Sequence, residues 1–183
     1  PPAPRRLLGR EEELASLGRD RLVVISGPGG VGKRSLALHW LHDLRADFPH
    51  GQLYADLGAH SVPVAPEEVL ESFLRALGVE RIPVRLGRRA ALFRSVTADR
   101  RIAVLLDNAA SAAQVRPLLP ASGTVLVTSR WRLSALEQDG VLRRANSVAE
   151  TVGMELVEAD PHRLGAEQLA AVRHQGEPGP LGD

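Results

Sequence analysis

Cysteine is absent from the 183 residues, which excludes disulfides and thiolate metal sites. Aromatic residues make up only 3%, so a core has to be assembled from Leu, Val, Ile and Ala. No apolar run is long enough to span a bilayer. The opening PPAPRRLLGR lacks the continuous apolar stretch of a signal peptide, and a cytoplasmic location is the expectation. Charge of either sign is close to balance, with a formal net of +1 and a pI near 9.0, which gives little support for direct nucleic-acid contact. Lysine is the scarcest of the charged residues: of 23 basic residues all but one are arginine, and the single lysine is Lys33.

What remains is an ordinary globular composition, 44% hydrophobic and 25% charged. The length suits one domain, or one domain plus a fragment, and is enough to bury a core. Residues 21–26 (RLVVIS) form a short apolar, β-branched run that reads as a buried parallel strand. A glycine-rich loop follows, then KRSLALHWLHDLRADF, where Leu36, Trp40 and Leu44 recur at four-residue spacing as on an amphipathic helix. Further strands are expected at 52–57 (QLYADL), 101–109 (RIAVLLDNA) and 123–130 (GTVLVTSR). Helices are expected at 7–17, 66–78, 84–98, 110–120 and 131–140, the second with Pro at its start and Gly at its stop. Alternating strands and helices argue for an α/β fold, a parallel sheet flanked by helices. The pattern weakens after about residue 145, which divides the chain into a nucleotide-binding domain over 1–145 and a partial helical extension or tail over 146–183.

The loop is GPGGVGKRS, residues 27–35. Up to Lys33 it follows G-x-x-x-x-G-K-[ST], the pattern whose backbone N–H groups cradle phosphates while the lysine reaches the β- and γ-phosphates. Strand before and helix after supply the context the motif needs. An ordinary glycine turn is the alternative. The only lysine of an arginine-using chain stands where a compact ammonium fits and a broad guanidinium does not, and this favours nucleotide binding. The candidate contacts are Gly27, Pro28, Gly29, Gly30, Val31, Gly32, Lys33, Arg34 and Ser35. After Lys33 the pattern requires a hydroxyl, but Arg34 stands there and Ser35 comes one place late.

Asp107 ends the apolar run AVLLD. An acid in this place holds Mg²⁺ in loop NTPases; a cap for the following helix is the other role Asp fills well. The next residue is Asn108, which cannot accept a proton from an attacking water. Arg130 follows the strand ending in Thr128 and Ser129, on the edge where parallel sheets bind ligands. Sensing of a γ-phosphate and a plain surface arginine both remain open for it. The six histidines lack metal-ligand spacing. The pairs Arg88–Arg89, Arg100–Arg101 and Arg143–Arg144 read as solvated faces, and Trp40 and Trp131 as core or edge packing.

Taken in order, LLGREEEL, VVISGPGGVGK, FPHGQLYADL, LRALGVERIP, VLLDNAASAAQVRPLLP and VLVTSR resemble the NB-ARC type of STAND P-loop NTPase, in particular the nucleotide-binding domain of actinobacterial SARP-type (AfsR-like) transcriptional regulators. The resemblance covers about residues 7 to 140. It implies a switch with ADP in the resting state and ATP in the active one. Leu8, Gly9 and Arg10 would belong to the adenine pocket, Gly27 to Lys33 to the phosphate loop, Asp107 to the Mg²⁺ site, and Arg130 would be the sensor arginine. Lys33, Asp107 and Arg130 would then be the residues serving hydrolysis. The resemblance also implies partners: DNA-binding and TPR regions of a larger regulator, and a homo-oligomer in the ATP state. Two features depart from it. Arg34 replaces the Ser or Thr that ligates Mg²⁺, so that the guanidinium either stands in for the metal or disturbs the helix start. GEPGPLGD near the end is no clear counterpart of the family's GLPLAL motif. The rivals are a turnover ATPase or kinase, and a degenerate module that binds no nucleotide.

Overall fold

Four apolar segments become parallel strands because both of their faces find cover. They are β1 (Leu22–Ser26), β2 (Gln52–Asp56), β3 (Ala103–Ala109) and β4 (Thr124–Ser129). The structure is a computed structural model that describes residues 22–58, 62–133, 135–136, 143–144 and 155–159. Every residue of β1 and β4 is buried, and all of β3 except Asn108. β2 is only partly covered and forms one edge.

The sheet runs β2-β3-β4-β1 in parallel, then turns antiparallel through β6 (Glu155–Ala159) against β1 and β5 (Arg143–Arg144) against β6. These last two strands were not expected from the sequence. A two-residue strand and the five residues ELVEA carry too little alternation to stand out.

Alternation along each strand divides the core in two. Val23, Ile25, Ala103, Leu105 and Leu126 face α1 (Lys33–Asp43), which buries Leu36, Ala37, Trp40 and Leu41 on them. Leu22, Val24, Val104, Leu106, Val125 and Val127 face the other layer. There α2 (Pro66–Ala76) contributes Val69, Leu70, Phe73 and Leu74, and α3 (Leu86–Thr97) contributes Ala90 and Phe93. The Phe73 and Phe93 rings lie 5.8 Å apart between centroids. Each such large side chain contributes roughly 1.5–3 kcal/mol by leaving water.

The expected elements are present with modest trimming. α1 stops at Asp43 and a 3₁₀ turn, Arg45–Asp47, follows; Pro49 two residues on keeps Phe48 out of helical space. The helix expected over 110–120 is reduced to α4 (Ala112–Val115) and a 3₁₀ turn, Arg116–Leu118, since Pro117 has no N–H to continue an α ladder. Trp40 is in the core, whereas Trp131 is 51% exposed. The helix expected at 7–17 lies outside the described residues, as does half of that at 131–140. Among the described residues no helix is long and apolar enough to cross a membrane.

The strand order sets up the site. β4 lies between β1 and β3, so the carboxyl edge of the sheet presents, in a row, the loop after β1, the end of β4, Asp107 on β3 and Asp56 on β2. In parallel α/β sheets this is the edge that receives ligands.

Candidate functional site

The loop turns sharply between β1 and α1. Gly30 and Gly32 have φ of 85° and 89°, a left-handed conformation that costs an L side chain about 1–2 kcal/mol. A Cβ at either would meet nothing within 4 Å. Backbone conformation therefore requires glycine here, and the space above the loop is open. Gly32 caps α1 without a side-chain hydrogen bond, and no acid occupies the helix's first turn. By contrast, α2 begins with Glu67 and Glu68, as the helix dipole favours. The first turn of α1 instead carries Lys33 and Arg34, two cations at the positive end of a dipole. Its hydrogen bonding is intact, with Leu36 N–H donating to Gly32 O at 3.0 Å, so the bulk of Arg34 does not disturb the helix start.

Lys33 folds back over the loop. Its Nζ donates to Gly27 O at 2.8 Å and Pro28 O at 2.7 Å. Burial, together with the Arg130 guanidinium, holds its pKa below the ordinary 10.5, while Asp107 pulls the other way. Arg130 itself lies against the loop: a methyl on Gly29 would sit 3.3 Å from the Arg130 guanidinium carbon.

Asp107 is 1% exposed and both of its oxygens are engaged. The Thr128 hydroxyl donates to Oδ1 and accepts from Asn108 N–H at 3.0 Å. Oδ2 faces Arg34 Nε at 3.2 Å and the Tyr54 hydroxyl at 3.5 Å. Burial first, then the Asp107 carboxylate, push the Tyr54 phenol up to about 12, against the opposing Arg34 charge; Tyr54 is therefore a neutral donor at physiological pH. Asn108 takes a φ of 56°, which Asn tolerates better than most residues, at a break in the register between Leu106 and Ala109.

Asp56 was not singled out in the sequence, yet it completes this cluster. It is the register partner of Asp107 on the adjacent strand, so two carboxylates stand side by side. Arg34 bridges them, with NH1 at 3.4 Å from Asp56 Oδ2 and the guanidinium carbon 5.6 Å from the centre of the Tyr54 ring. Asp56 Oδ1 accepts from Asn108 Nδ2 at 3.1 Å and from Gly58 N–H at 3.0 Å. A signal for Asp56 existed: QLYAD ends a strand in an acid, as AVLLD does.

The structure thus brings Lys33, Arg34, Asp107 and Arg130 together beside the loop glycines. Ser35 is exposed on the first turn of α1, about 100° around the helix from Arg34. Leu8, Gly9 and Arg10 lie outside the described residues. Among the described residues no cluster of three or more His, Asp or Glu could hold a metal ion.

Mg²⁺ takes near-ideal octahedral oxygen coordination. Here the hydroxyl position of the loop is Arg34, which has no oxygen to offer. The Asp107 oxygen facing the loop is already ion-paired to its guanidinium. The residues present do not fit the metal, because a divalent ion at Asp107 would meet a fixed cation at contact distance.

No protein-family model matches the chain. It is 58% identical over 114 residues to the regulatory protein AfsR of Streptomyces coelicolor, covering 60% of this chain and 12% of that protein. AfsR of Streptomyces griseus is 55% identical over 114 residues, with the same coverage. The chain therefore spans about 12% of the length of these curated relatives. Among solved structures, Cdc6p from Pyrobaculum aerophilum superposes with a TM-score of 0.53 at 14% identity, over 74% of this chain and 42% of that one. That likeness supports the P-loop α/β fold and nothing finer.

Proposed function

We propose that this chain, a homologue of part of the AfsR regulatory proteins, serves as the nucleotide-binding domain of an AfsR-like transcriptional regulator of the NB-ARC/STAND kind. It binds ADP or ATP as a switch and hydrolyses ATP slowly. The observation that carries the reading is the start of α1: an open glycine loop, Lys33 and Arg34 in the first turn, and no acid in that turn. A helix start built this way favours an anion on it. The loop amides of Gly27 to Lys33 and the Lys33 ammonium receive the phosphates, which replace the two carbonyls Lys33 now holds. Arg130, resting on Gly29, is placed to report on a terminal phosphate. Leu8, Gly9 and Arg10 are assigned to the adenine side by resemblance to the family alone.

Slow turnover follows from Asn108. Its amide donates to Asp56 and has no basic site for a water proton. The proposal extends to the DNA-binding and TPR regions of a longer regulator as partners, and to homo-oligomerisation in the ATP state. The test is calorimetric titration of nucleotide-free protein with ADP and ATP, alongside Lys33→Met. Binding by the wild type is expected to weaken at least about tenfold in the variant, which loses a charge-assisted contact worth roughly 1.5–3 kcal/mol. Failure of the folded wild type to bind either nucleotide would sink the reading. ATP turnover far above about one per minute would make it an enzyme instead, since typical enzymes run near 10 per second.

A further inference from the structure

Mg²⁺ is what a phosphate loop of this kind leads one to expect, and it is what Arg34 displaces. We infer that the site takes its nucleoside diphosphate as the metal-free anion, with the Arg34 guanidinium standing as a permanent counter-charge where the divalent ion would be. This rests on the nucleotide-binding reading and specifies the form of the ligand.

Three observations converge on it. The guanidinium belongs to a half-exposed side chain, yet three groups hold its head. It is held on three sides: by Asp107 through Nε at 3.2 Å, by Asp56 through NH1 at 3.4 Å, and by the Tyr54 ring, 5.6 Å from its centroid. Planar, always charged and forked, it is suited to bridge two carboxylates in a way that a lysine is not. Secondly, the carboxylates it bridges are register partners on neighbouring strands. Like charges directly opposite each other are unfavourable, so an acid pair at this spot calls for a cation between them, and the chain supplies its own. Thirdly, the remaining Asp107 oxygen accepts from the Thr128 hydroxyl, so the oxygen that faces the loop is the one the guanidinium occupies. The residue that fills the metal's place also stands one position after Lys33, at the mouth of the loop. A diphosphate on the loop amides therefore meets Lys33 and Arg34 together.

The formal balance agrees. Lys33, Arg34 and Arg130 against Asp56 and Asp107 leave one net positive charge at the edge before any ligand arrives. A divalent ion would add two more, against the cations already there. A phosphate anion lowers the excess.

The experiment is calorimetric titration of the nucleotide-free chain with ADP, once in excess EDTA and once in excess Mg²⁺, with Arg34→Thr run in parallel. The wild type is expected to bind ADP in EDTA within about threefold of its affinity in Mg²⁺, or more tightly. Arg34→Thr restores the hydroxyl and frees the Asp107 oxygen. It is expected to lose more than about tenfold in affinity when Mg²⁺ is removed. Wild-type binding that drops more than about threefold in EDTA overturns the inference and leaves the nucleotide-binding reading intact. If Arg34→Thr binds without need of the metal as well as the wild type does, Arg34 is not the counter-charge and the inference fails. Absence of ADP binding in both conditions defeats both readings at once. Should Arg34→Thr not fold, the wild-type comparison alone decides.

Discussion

The ion pair between Arg34 and Asp107 can be weighed in the protein without ligand, by a double-mutant cycle of Arg34→Met, Asp107→Asn and the two combined. The pair's nearest atoms are 3.2 Å apart. Charges about 4 Å apart attract by about 4 kcal/mol at an effective dielectric of 20. That figure is gross, because the Arg34 side chain is 52% exposed and water screens it, whereas Asp107 is 1% exposed. A net coupling of about 1–2 kcal/mol is expected. The single changes should be unequal. Arg34→Met leaves Asp107 buried beside Asp56 with the Thr128 and Tyr54 hydroxyls but without its ion-pair partner, and should cost about 2–3 kcal/mol. Asp107→Asn leaves an arginine that water and Asp56 still satisfy, and should cost about 1–2 kcal/mol. In the double variant the methionine stem and the asparagine amide coexist without charge conflict, so the losses should fall short of their sum by the coupling. For a domain of this size about 1 kcal/mol moves Tm by roughly 4 °C, and thermal and urea unfolding both resolve it. If the two losses add to within about 0.5 kcal/mol, the carboxylate does not hold the guanidinium, and the case for Arg34 as a resident cation collapses.

Three further outcomes follow from neighbouring groups. Lys33 loses its proton earlier on alkaline titration than it would in the unfolded chain, because its pKa is held below 10.5. Between that lowered value and 10.5 the unfolded chain binds more protons, so the stability of the ligand-free protein should rise with pH. Tyr54, raised to about 12 from 10.0, works in the opposite sense above pH 10.0, so the rise is read below it. ADP affinity should fall over the same window as the ammonium is neutralised; calorimetry showing a flat profile would remove Lys33 from phosphate binding. Gln114→Leu should destabilise the fold by about 1–3 kcal/mol, measured by urea unfolding. Its amide nitrogen is the donor to Leu57 O and Val64 O, both at 2.9 Å, and its oxygen accepts from Ala110 N–H at 3.0 Å. A change below about 0.5 kcal/mol would mean that water replaces those bonds at no cost.

How much of this was legible beforehand depended on the range of the interaction. RLVVIS, AVLLD and VLVTS announced buried strands because uninterrupted apolar residues have few other homes. The phosphate loop was legible because its demands are local: left-handed turns at Gly30 and Gly32, and one compact cation. Asp107 could be found from its place at the end of a strand. Its partner could not be found with equal ease. Asp56 is 51 residues away in the chain, and its importance depends on β2 pairing with β3 and on the register that sets the two acids abreast. Arg34 was visible as a departure from the motif, but a single sequence could not choose between a guanidinium that disturbs the helix and one that replaces a metal. The intact Gly32–Leu36 hydrogen bond speaks against the first, and the two carboxylates are what the proposal of the second is built on. Strands β5 and β6 escaped because pairing with β1, not their own composition, makes them strands.

The order of the strands explains why so few residues make so complete a cluster. Were β3 next to β1, Asp107 would abut the loop directly. With β4 inserted between them, the end of β4 supplies both a hydroxyl and a guanidinium to the gap. Thr128 takes one Asp107 oxygen, and Arg130 covers Gly29. The space left beside the other Asp107 oxygen is reached from α1, whose first turn projects Arg34 across to β3 and β2. A threonine there has a side chain too short to touch Asp56 and would leave the two acids to a diffusible ion. An arginine reaches both acids. On the proposed reading, one substitution at the second residue of the helix would convert a site that borrows its cation from solution into one that carries it. The occupancy of such a site would then track nucleotide concentration and not that of the divalent ion, which is what the paired titrations in EDTA and Mg²⁺ read.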